Sequence, residues 1–332
     1  MTGHRQPDLF ELPPKEIEPF AATPEQVSLG TKLSRGIRLG TMSWSFPGWT
    51  GIVYGGKPSP NQLADIGLTA YARHPVLRTV EIDRTYYEPL PRDAFATFAA
   101  QTPDDFRFVV KAHEDCTVRR FPAHPRYGKK RERVNALFLD PAYAIDAVVA
   151  PLLEGLGAKL GVLLFQFPPQ DVNEAPGAFA ERLHSFLIRL PKGVVYAVEL
   201  RNVELFTPSY VAAITDAGAT HCHNIWPGMP PLVAQVRRVP PPARRPLVVR
   251  WLLRAGDAYE EARDRYAPFD RVVDEDLRAR SSIAAMAERA NLHGVSVFIL
   301  INNKAEGCAP ESAVRLARAI VESTHDAPLR SV

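Results

Sequence analysis

Charged side chains follow several short apolar runs of this sequence, and their types are those that transfer protons. The candidate catalytic residues, Glu81, Lys111 and Glu199, each lie at or just beyond the end of such a run. Desolvation beside an apolar run disfavours a charged ammonium, so Lys111 is a candidate general base or imine-forming nucleophile. Glu81 and Glu199 can divide acid and base roles if their surroundings separate their pKa values. The alternative for Lys111 is an ion pair with Glu81 or Glu199, which would hold the lysine protonated.

A second set of polar and aromatic side chains lies beside or after the same kind of run. Two arginines in this set can hold a carboxylate or phosphate in the fork of the guanidinium group, and amides can orient hydroxyl or carbonyl groups. Aromatic side chains can stack on a flat ligand, although packing at the rim explains them equally well. The candidate substrate-binding residues are Trp44, Asp83, Tyr87, Gln166, Arg201, His223, Arg250, Asn302 and Asn303.

The run His221, Cys222, His223 resembles a metal-binding cluster. Alternate residues of a strand point to opposite faces, however, so the three side chains cannot bind one ion. A mixed site of Glu81, Glu199 and His223 is an alternative, which would make the protein a metal-dependent hydrolase or isomerase, but no recognised ligand spacing supports it. We therefore predict no metal ligands and leave the cofactor open. The sequence also has no P-loop, GxGxxG, GxSxG or HExxH motif.

Positive charge is concentrated in one segment, residues 119–133. The segment holds seven basic residues against Glu132 alone, whereas the whole chain has a net charge of only +3. Such a segment can steer an anionic substrate or bind nucleic acid, although a solvated loop is the commoner explanation. The candidate nucleic-acid contacts are Arg119, Arg120, Lys129, Lys130 and Arg131.

Composition bounds the class of protein. The chain of 332 residues is 46% apolar and 23% charged, which is typical of a globular protein. No apolar stretch approaches the roughly 20 residues of a membrane span, and residues 1–20 hold four acidic side chains where a signal peptide would be apolar. The three cysteines are isolated in sequence, which favours a reducing compartment. We expect a cytoplasmic protein with no membrane segment.

The elements that must position these residues alternate along the chain from Ile37 onward. Short apolar runs predict eight strands, at 37–42, 79–82, 106–110, 160–165, 194–198, 219–223, 247–251 and 295–301. Stretches of helical period predict seven helices, at 61–73, 92–100, 142–156, 178–190, 208–217, 281–291 and 311–323. This α/β pattern favours a closed (β/α)8 TIM barrel, whose carboxyl-terminal rim would gather the polar residues into one site.

Three segments depart from the repeat. The proline-rich residues 1–35 have no sustained apolar period and predict an extended N-terminal arm, followed by a single barrel domain over 36–325. Prolines from Pro227 to Pro246 predict an irregular connection after the sixth strand. The long segment 111–140 is of the kind that is usually functional or disordered.

Six segments in order resemble the barrel family called domain of unknown function 72, also described as YecE-like. They are GTMSWSFPGW at 40–49, VEIDRTYY at 80–87, FRFVVK at 106–111, LFQFP at 164–168, VELR at 198–201 and INN at 301–303. The resemblance implies a TIM barrel but no established activity. It implies a polar pocket formed by Glu81, Lys111, Gln166, Glu199, Arg201 and Asn302. The chain departs from the family pattern at Asp83 and Arg84, which add charge beside Glu81.

The sequence therefore predicts an enzyme that acts by general acid/base chemistry on a small polar or anionic metabolite at the barrel mouth. The alternative functions are a module that binds nucleic acid or another anionic partner through residues 119–133, and the metal-dependent barrel enzyme.

Overall fold

Eight parallel strands close into a barrel in the order in which they occur in the chain. The structure, a computed structural model, describes residues 16–169, 175–254 and 256–326. The strands are β1 Ile37–Thr41, β2 Leu77–Ile82, β3 Arg107–Lys111, β4 Leu160–Phe167, β5 Tyr196–Leu200, β6 Thr220–Ile225, β7 Leu247–Trp251 and β8 Val297–Ile301. The predicted (β/α)8 barrel is confirmed, with strand bounds that differ from the predicted ones by at most two residues.

The strands are buried on both faces, which explains why their sequences read as nearly continuous apolar runs. Outward side chains such as Val80 and Phe165 belong to the main core beneath the helices. Inward side chains such as Val109 and Leu164 fill the barrel. A Cβ atom on Gly40 would lie 1.9 Å from a carbonyl oxygen of β2, so only glycine allows β1 and β2 to approach at this point.

Helices surround the barrel, and most of them begin at a proline in the first turn, where its missing N–H costs nothing. Ser59 and Gln62 add a reciprocal capping box at the start of α2. The helices are α1 Pro24–Lys32, α2 Pro60–Tyr71, α3 Arg92–Ala100, α4 Pro141–Ala144, α5 Ala150–Leu156, α6 Pro176–Leu187, α7 Pro208–Asp216, α8 Leu232–Arg238, α9 Tyr259–Tyr266, α10 Leu277–Leu292 and α11 Ala309–Asp326. A π-helical turn, Ile145–Val149, joins α4 to α5.

The predicted extended arm is wrong for part of its length, because α1 forms within it. Thr23 and Gln26 make a capping box at its start, and the helix buries Leu29 against the core while packing on α11. The capping residues thus explain why a helix forms here although the apolar period is weak. Residues 1–15 of the predicted arm lie outside the described residues.

Two other connections also contain helices that the sequence did not predict. The connection after β6 is irregular over most of its length, as predicted, but α8 forms between Pro231 and Val239 and buries Leu232 and Gln235. After β7, α9 is so polar that it buries only Ala262 and Tyr266, which is too little for an apolar period to be visible. No helix in the described part of the chain is long and apolar enough to cross a membrane.

The long segment between β3 and α4 forms an ordered excursion above the strand ends. An antiparallel bridge joins Arg120 to Val134, and three side chains, Val118, Phe121 and Tyr127, make a small apolar cluster of their own. Asn135 is buried, and its amide nitrogen donates to the carbonyl oxygens of Asp115 and Val118, each at 2.8 Å. Asn135 thus closes the base of the segment, which folds on a separate apolar cluster.

Candidate functional site

The carboxyl ends of the strands open into a cavity of 570 Å³. Strands of a closed parallel barrel all end on one side, so residues that are far apart in sequence meet there. Ten of the twelve predicted site residues line the cavity, and Glu199 and His223 do not. The ten are Trp44, Glu81, Asp83, Tyr87, Lys111, Gln166, Arg201, Arg250, Asn302 and Asn303.

Arg250 of β7 lies at the floor of the cavity between two carboxylates. Its Nε and Nη2 donate to the two carboxylate oxygens of Glu81 at 2.9 and 2.7 Å, and its Nη1 donates to Glu199 at 2.5 Å. Arg201 donates from Nε to the other oxygen of Glu199 at 3.0 Å. Glu81 and Glu199 are fully buried, so each ionised form depends on these partners.

The two carboxylates differ in their affinity for protons. Burial raises the pKa of Glu81 to about 7, and the opposing attraction of Arg250 only limits this rise. Burial acts in the same direction on Glu199, but Arg250 and Arg201 together outweigh it, so the pKa of Glu199 is lowered. Glu199 therefore stays ionised at neutral pH, whereas Glu81 can exchange a proton there.

Lys111 presents its ammonium to the cavity from the end of β3. Its Nζ lies 2.9 Å from Asp83 Oδ1 and 3.9 Å from the centre of the Tyr86 ring. Burial lowers the pKa of Lys111, and the attraction of Asp83 opposes this change. Burial would raise the pKa of Asp83, but Lys111 and Arg250 outweigh it, and the pKa is lowered. The ion pair of Lys111 is therefore made with Asp83, whereas the sequence suggested Glu81 or Glu199.

Arg201 lies beside this floor and is positioned by three neighbours. Its guanidinium lies 4.0 Å from the centre of the Trp226 ring, and its Nη2 is 3.4 Å from Gln166 Oε1. Together with the bond to Glu199, these contacts fix a cation that remains on the cavity wall. Such an arginine is prepared for an anionic ligand.

Glu199 lies beneath the cavity, so the structure does not support its predicted direct catalytic role. Both of its oxygens accept hydrogen bonds from arginines. The β5 strand ends at Leu200, one residue beyond Glu199, and Arg201 covers the carboxylate from the mouth. What Glu199 does is to position Arg201 and Arg250.

His223 points away from the cavity, which contradicts its predicted contact with a substrate. Its Nε2 lies 3.0 Å from the carbonyl oxygen of Val239, next to α8, and its ring centre lies 4.8 Å from that of His221. Cys222, between them, belongs to the cluster inside the barrel. The mixed metal site of Glu81, Glu199 and His223 is therefore not assembled, and no cluster of metal-ligating side chains occurs among the described residues.

Three of the predicted binding residues line the cavity but have structural partners. Trp44 is only 6% exposed and donates from Nε1 to the carbonyl oxygen of Leu63. Asn303 accepts bonds through Oδ1 from Trp49 Nε1 and from the Ala309 amide. Asn302 accepts a bond from the Lys304 amide and turns its amide nitrogen toward Met42 Sδ. Trp44 is therefore rim packing, which the sequence left open as an alternative.

Several residues of the site were not predicted. Trp226 and Tyr259 line the cavity, as do the cations Arg126 and Lys304. No signal in the sequence separates Arg126 from the other basic residues of its segment. Lys304 does have a signal, since it follows the asparagine pair at the end of a predicted strand.

The basic segment lies at the edge of the cavity. Arg126 Nη2 pairs with Glu114 at 2.6 Å, and Lys130 pairs with Asp115 at 3.1 Å, so part of the positive charge is balanced locally. The candidate nucleic-acid contacts Arg119, Arg120, Lys129, Lys130 and Arg131 do not line the cavity. Nucleic-acid binding stays a prediction.

Basic side chains outnumber acidic ones around the cavity. Among the described residues that line it, six are lysine or arginine and two are aspartate or glutamate. The cavity lies at the carboxyl ends of eight parallel strands, which is where TIM-barrel enzymes have their active sites. The protein is therefore a TIM-barrel protein with a cationic site at this position. The chain belongs to the family described as "Protein of unknown function DUF72", which matches residues 38–331.

Relatives of this chain agree with that assignment. The UPF0759 protein YunF of Bacillus subtilis is 27% identical over 152 residues, which are 46% of this chain and 48% of that protein, so the match spans about half of each. A DUF72 family protein from Enterococcus faecalis V583 matches at a TM-score of 0.56 and 20% identity, over 86% of this chain and 95% of that one. A DUF72 family protein from Thermotoga maritima MSB8 matches at a TM-score of 0.56 and 19% identity, over 85% of this chain and 98% of that one. These structures show the shared fold.

Proposed function

We propose that the protein is a cytoplasmic enzyme that binds a small anionic metabolite at the barrel mouth and acts on it by general acid/base catalysis. The excess of six basic over two acidic side chains among the described residues around the cavity carries this proposal. Low-dielectric walls strengthen the attraction of such a site for anions. The free, buried thiols of Cys116, Cys222 and Cys308 are consistent with a reducing compartment.

The residues of the floor have distinct roles in the proposed reaction. Arg201 binds the anionic group of the substrate and stabilises negative charge that develops during the reaction. Lys111 exchanges a proton with a neighbouring C–H or O–H group of the substrate, since its lowered pKa increases the fraction of free amine at neutral pH. Glu81 is the second proton-exchanging group, since its pKa is raised to about 7, and it also pairs with Arg250. Glu199 holds Arg250 and Arg201 in place, and Asp83 orients Lys111.

Calorimetric titration of inorganic phosphate at low salt tests the binding half of this proposal. We expect saturable binding to the wild type and binding about tenfold weaker to Arg201→Gln, because the variant lacks a cation of the cavity wall. Arg189→Gln removes an exposed arginine outside the cavity and is the matched control. Absence of phosphate binding to the wild type, or equal binding to both variants, would overturn the proposed site.

A further inference from the structure

The aromatic side chains at the mouth are occupied by cations. Lys111 lies 3.9 Å from the centre of the Tyr86 ring, Arg201 lies 4.0 Å from that of Trp226, and Lys304 lies 4.2 Å from that of Tyr259. Each ring thus offers a face to a lysine or arginine of the cavity. The rings position positive charge, and these faces are not open platforms for a flat ligand.

Lys304 differs from the other two cations in having no acidic partner among the described residues. Lys111 pairs with Asp83, and Arg201 pairs with Glu199. The contacts of the Lys304 ammonium within the described chain are the rings of Tyr259 and Phe269, at 4.2 and 5.7 Å. A cation–π contact leaves the N–H donors of an ammonium available, so Lys304 is prepared to meet a negative group from outside the protein.

A short chain of contacts connects Lys304 with the cavity floor. Asn302 Oδ1 accepts a bond from the Lys304 amide, and Asn302 Nδ2 lies 3.4 Å from Met42 Sδ. The same sulfur atom lies 3.7 Å from Arg250 Nη2. These contacts link the backbone at Lys304 to the floor. Lys304 and the floor residues line the same cavity, whose 570 Å³ is in the range of small-molecule sites.

We infer that the substrate carries two anionic groups, one held at the floor by Arg201 and Lys111 and the other held at the rim by Lys304. This inference rests on the proposed function and narrows its substrate class to compact molecules with two anionic groups, a carboxylate or phosphate at each end. A metabolite with a single anionic group would leave Lys304 without a partner. A neutral sugar would also leave Lys304 without one, and it would make no use of the positive charge at the floor.

Titration of matched pairs of probes tests the inference. Acetate and methyl phosphate carry one anionic group, whereas succinate and phosphoglycolate carry two. We expect the two-group probes to bind the wild type at least about tenfold more tightly than the one-group probes. Lys304→Gln should remove this advantage, because it should weaken binding of the two-group probes at least about fivefold more than binding of the one-group probes. Tighter binding of phosphoglycolate than of succinate would indicate that one of the two groups is a phosphate.

Variants of Tyr259 test whether the ring positions Lys304. Tyr259→Phe keeps an aromatic face and should bind succinate and phosphoglycolate as the wild type does. Tyr259→Leu should weaken the binding of these two probes more than the binding of acetate and methyl phosphate. Lys192→Gln removes an exposed lysine outside the cavity and is the control.

Three results would overturn the inference. Equal affinity of the wild type for one-group and two-group probes would exclude the second subsite. An equal loss of affinity for both classes of probe in Lys304→Gln would exclude it too, and in either case the proposed function would stand. No binding of any probe would overturn both proposals.

Discussion

Arg250 is a buried cation that joins two strands across the barrel. Its partners Glu81 and Glu199 lie on β2 and β5, 169 and 51 residues away in sequence. A buried charge is tolerated only when it is paired, and here three charges share one set of hydrogen bonds. Arg250 and its two carboxylate partners therefore close the floor of the cavity and constrain three strands.

Replacement of Arg250 by methionine should destabilise the protein strongly. Two fully buried carboxylates would lose their common partner, and breaking such a group costs about 3–5 kcal/mol. Urea unfolding followed by circular dichroism measures the change, with Arg189→Met as an exposed control. A loss below about 1 kcal/mol, typical of surface ion pairs, would show that Arg250 is not needed to neutralise the floor.

Lys111→Arg should separate proton transfer from binding. The guanidinium keeps the positive charge at the end of β3 but stays protonated at neutral pH, so it cannot act as a base. We expect wild-type enzyme to exchange a substrate proton for deuterium in D₂O, at a rate that rises as the pH passes through the lowered pKa of Lys111. The variant should bind the anion and exchange at least about 100-fold more slowly. Proton NMR of small carboxylates and organic phosphates measures both the binding of the anion and the exchange of its protons. Exchange by the variant at the wild-type rate would exclude Lys111 as the base.

At the scale of elements, alternation along the strands predicted most of the site. Glu81, Lys111, Arg201 and Arg250 come from runs whose apolar neighbours mark the other face, so their inclusion in one cavity could be foreseen. Alternation gives no guidance at His223, because β6 reads THCHNI and has no contrast between its two faces. Contacts such as those of Arg126 depend on how a long segment folds, which periodicity does not encode.

The segment between β3 and α4 makes a prediction at this scale. The buried amide of Asn135 donates to Asp115 and Val118, and its oxygen accepts from the Leu137 amide at 2.9 Å. Asn135→Ala would leave these backbone groups without partners, so residues 118–134 should open more easily than the barrel.

Hydrogen exchange measures this opening. We expect amides of residues 118–134 to exchange at least about tenfold faster in Asn135→Ala, with the strands unchanged. Asn291→Ala, at a partly buried position of α10 outside the segment, is the control. Uniformly faster exchange across the barrel would mean that the segment is not a separate unit.

At the scale of the whole molecule, the closed barrel buries titratable groups with opposite effects on the pH dependence of stability. The pKa of Glu81 is raised in the folded protein, so its contribution is present at low pH and is lost as the pH rises through about 7. Burial lowers the pKa of His223 from 6.5 to about 4, so its contribution is present above pH 6.5 and is lost as the pH falls toward 4. The two contributions partly cancel between pH 5 and 7, and the stability of the wild type alone cannot separate them.

His223→Gln isolates the histidine contribution, because glutamine does not titrate and its amide can donate to the carbonyl oxygen of Val239, as the ring does. The variant should be less stable than the wild type at pH 7.5, and this deficit should shrink by about 2 kcal/mol at pH 5, where unfolding of the wild type is favoured by proton uptake. Urea unfolding at the two pH values measures the difference, with His293→Gln at an exposed position as the control. A deficit that stays constant between the two pH values would show that the imidazole titrates alike in the folded and unfolded chain. The outward, fully buried placement of His223 would then be wrong, and with it the assignment of the alternate face of β6 to the barrel interior.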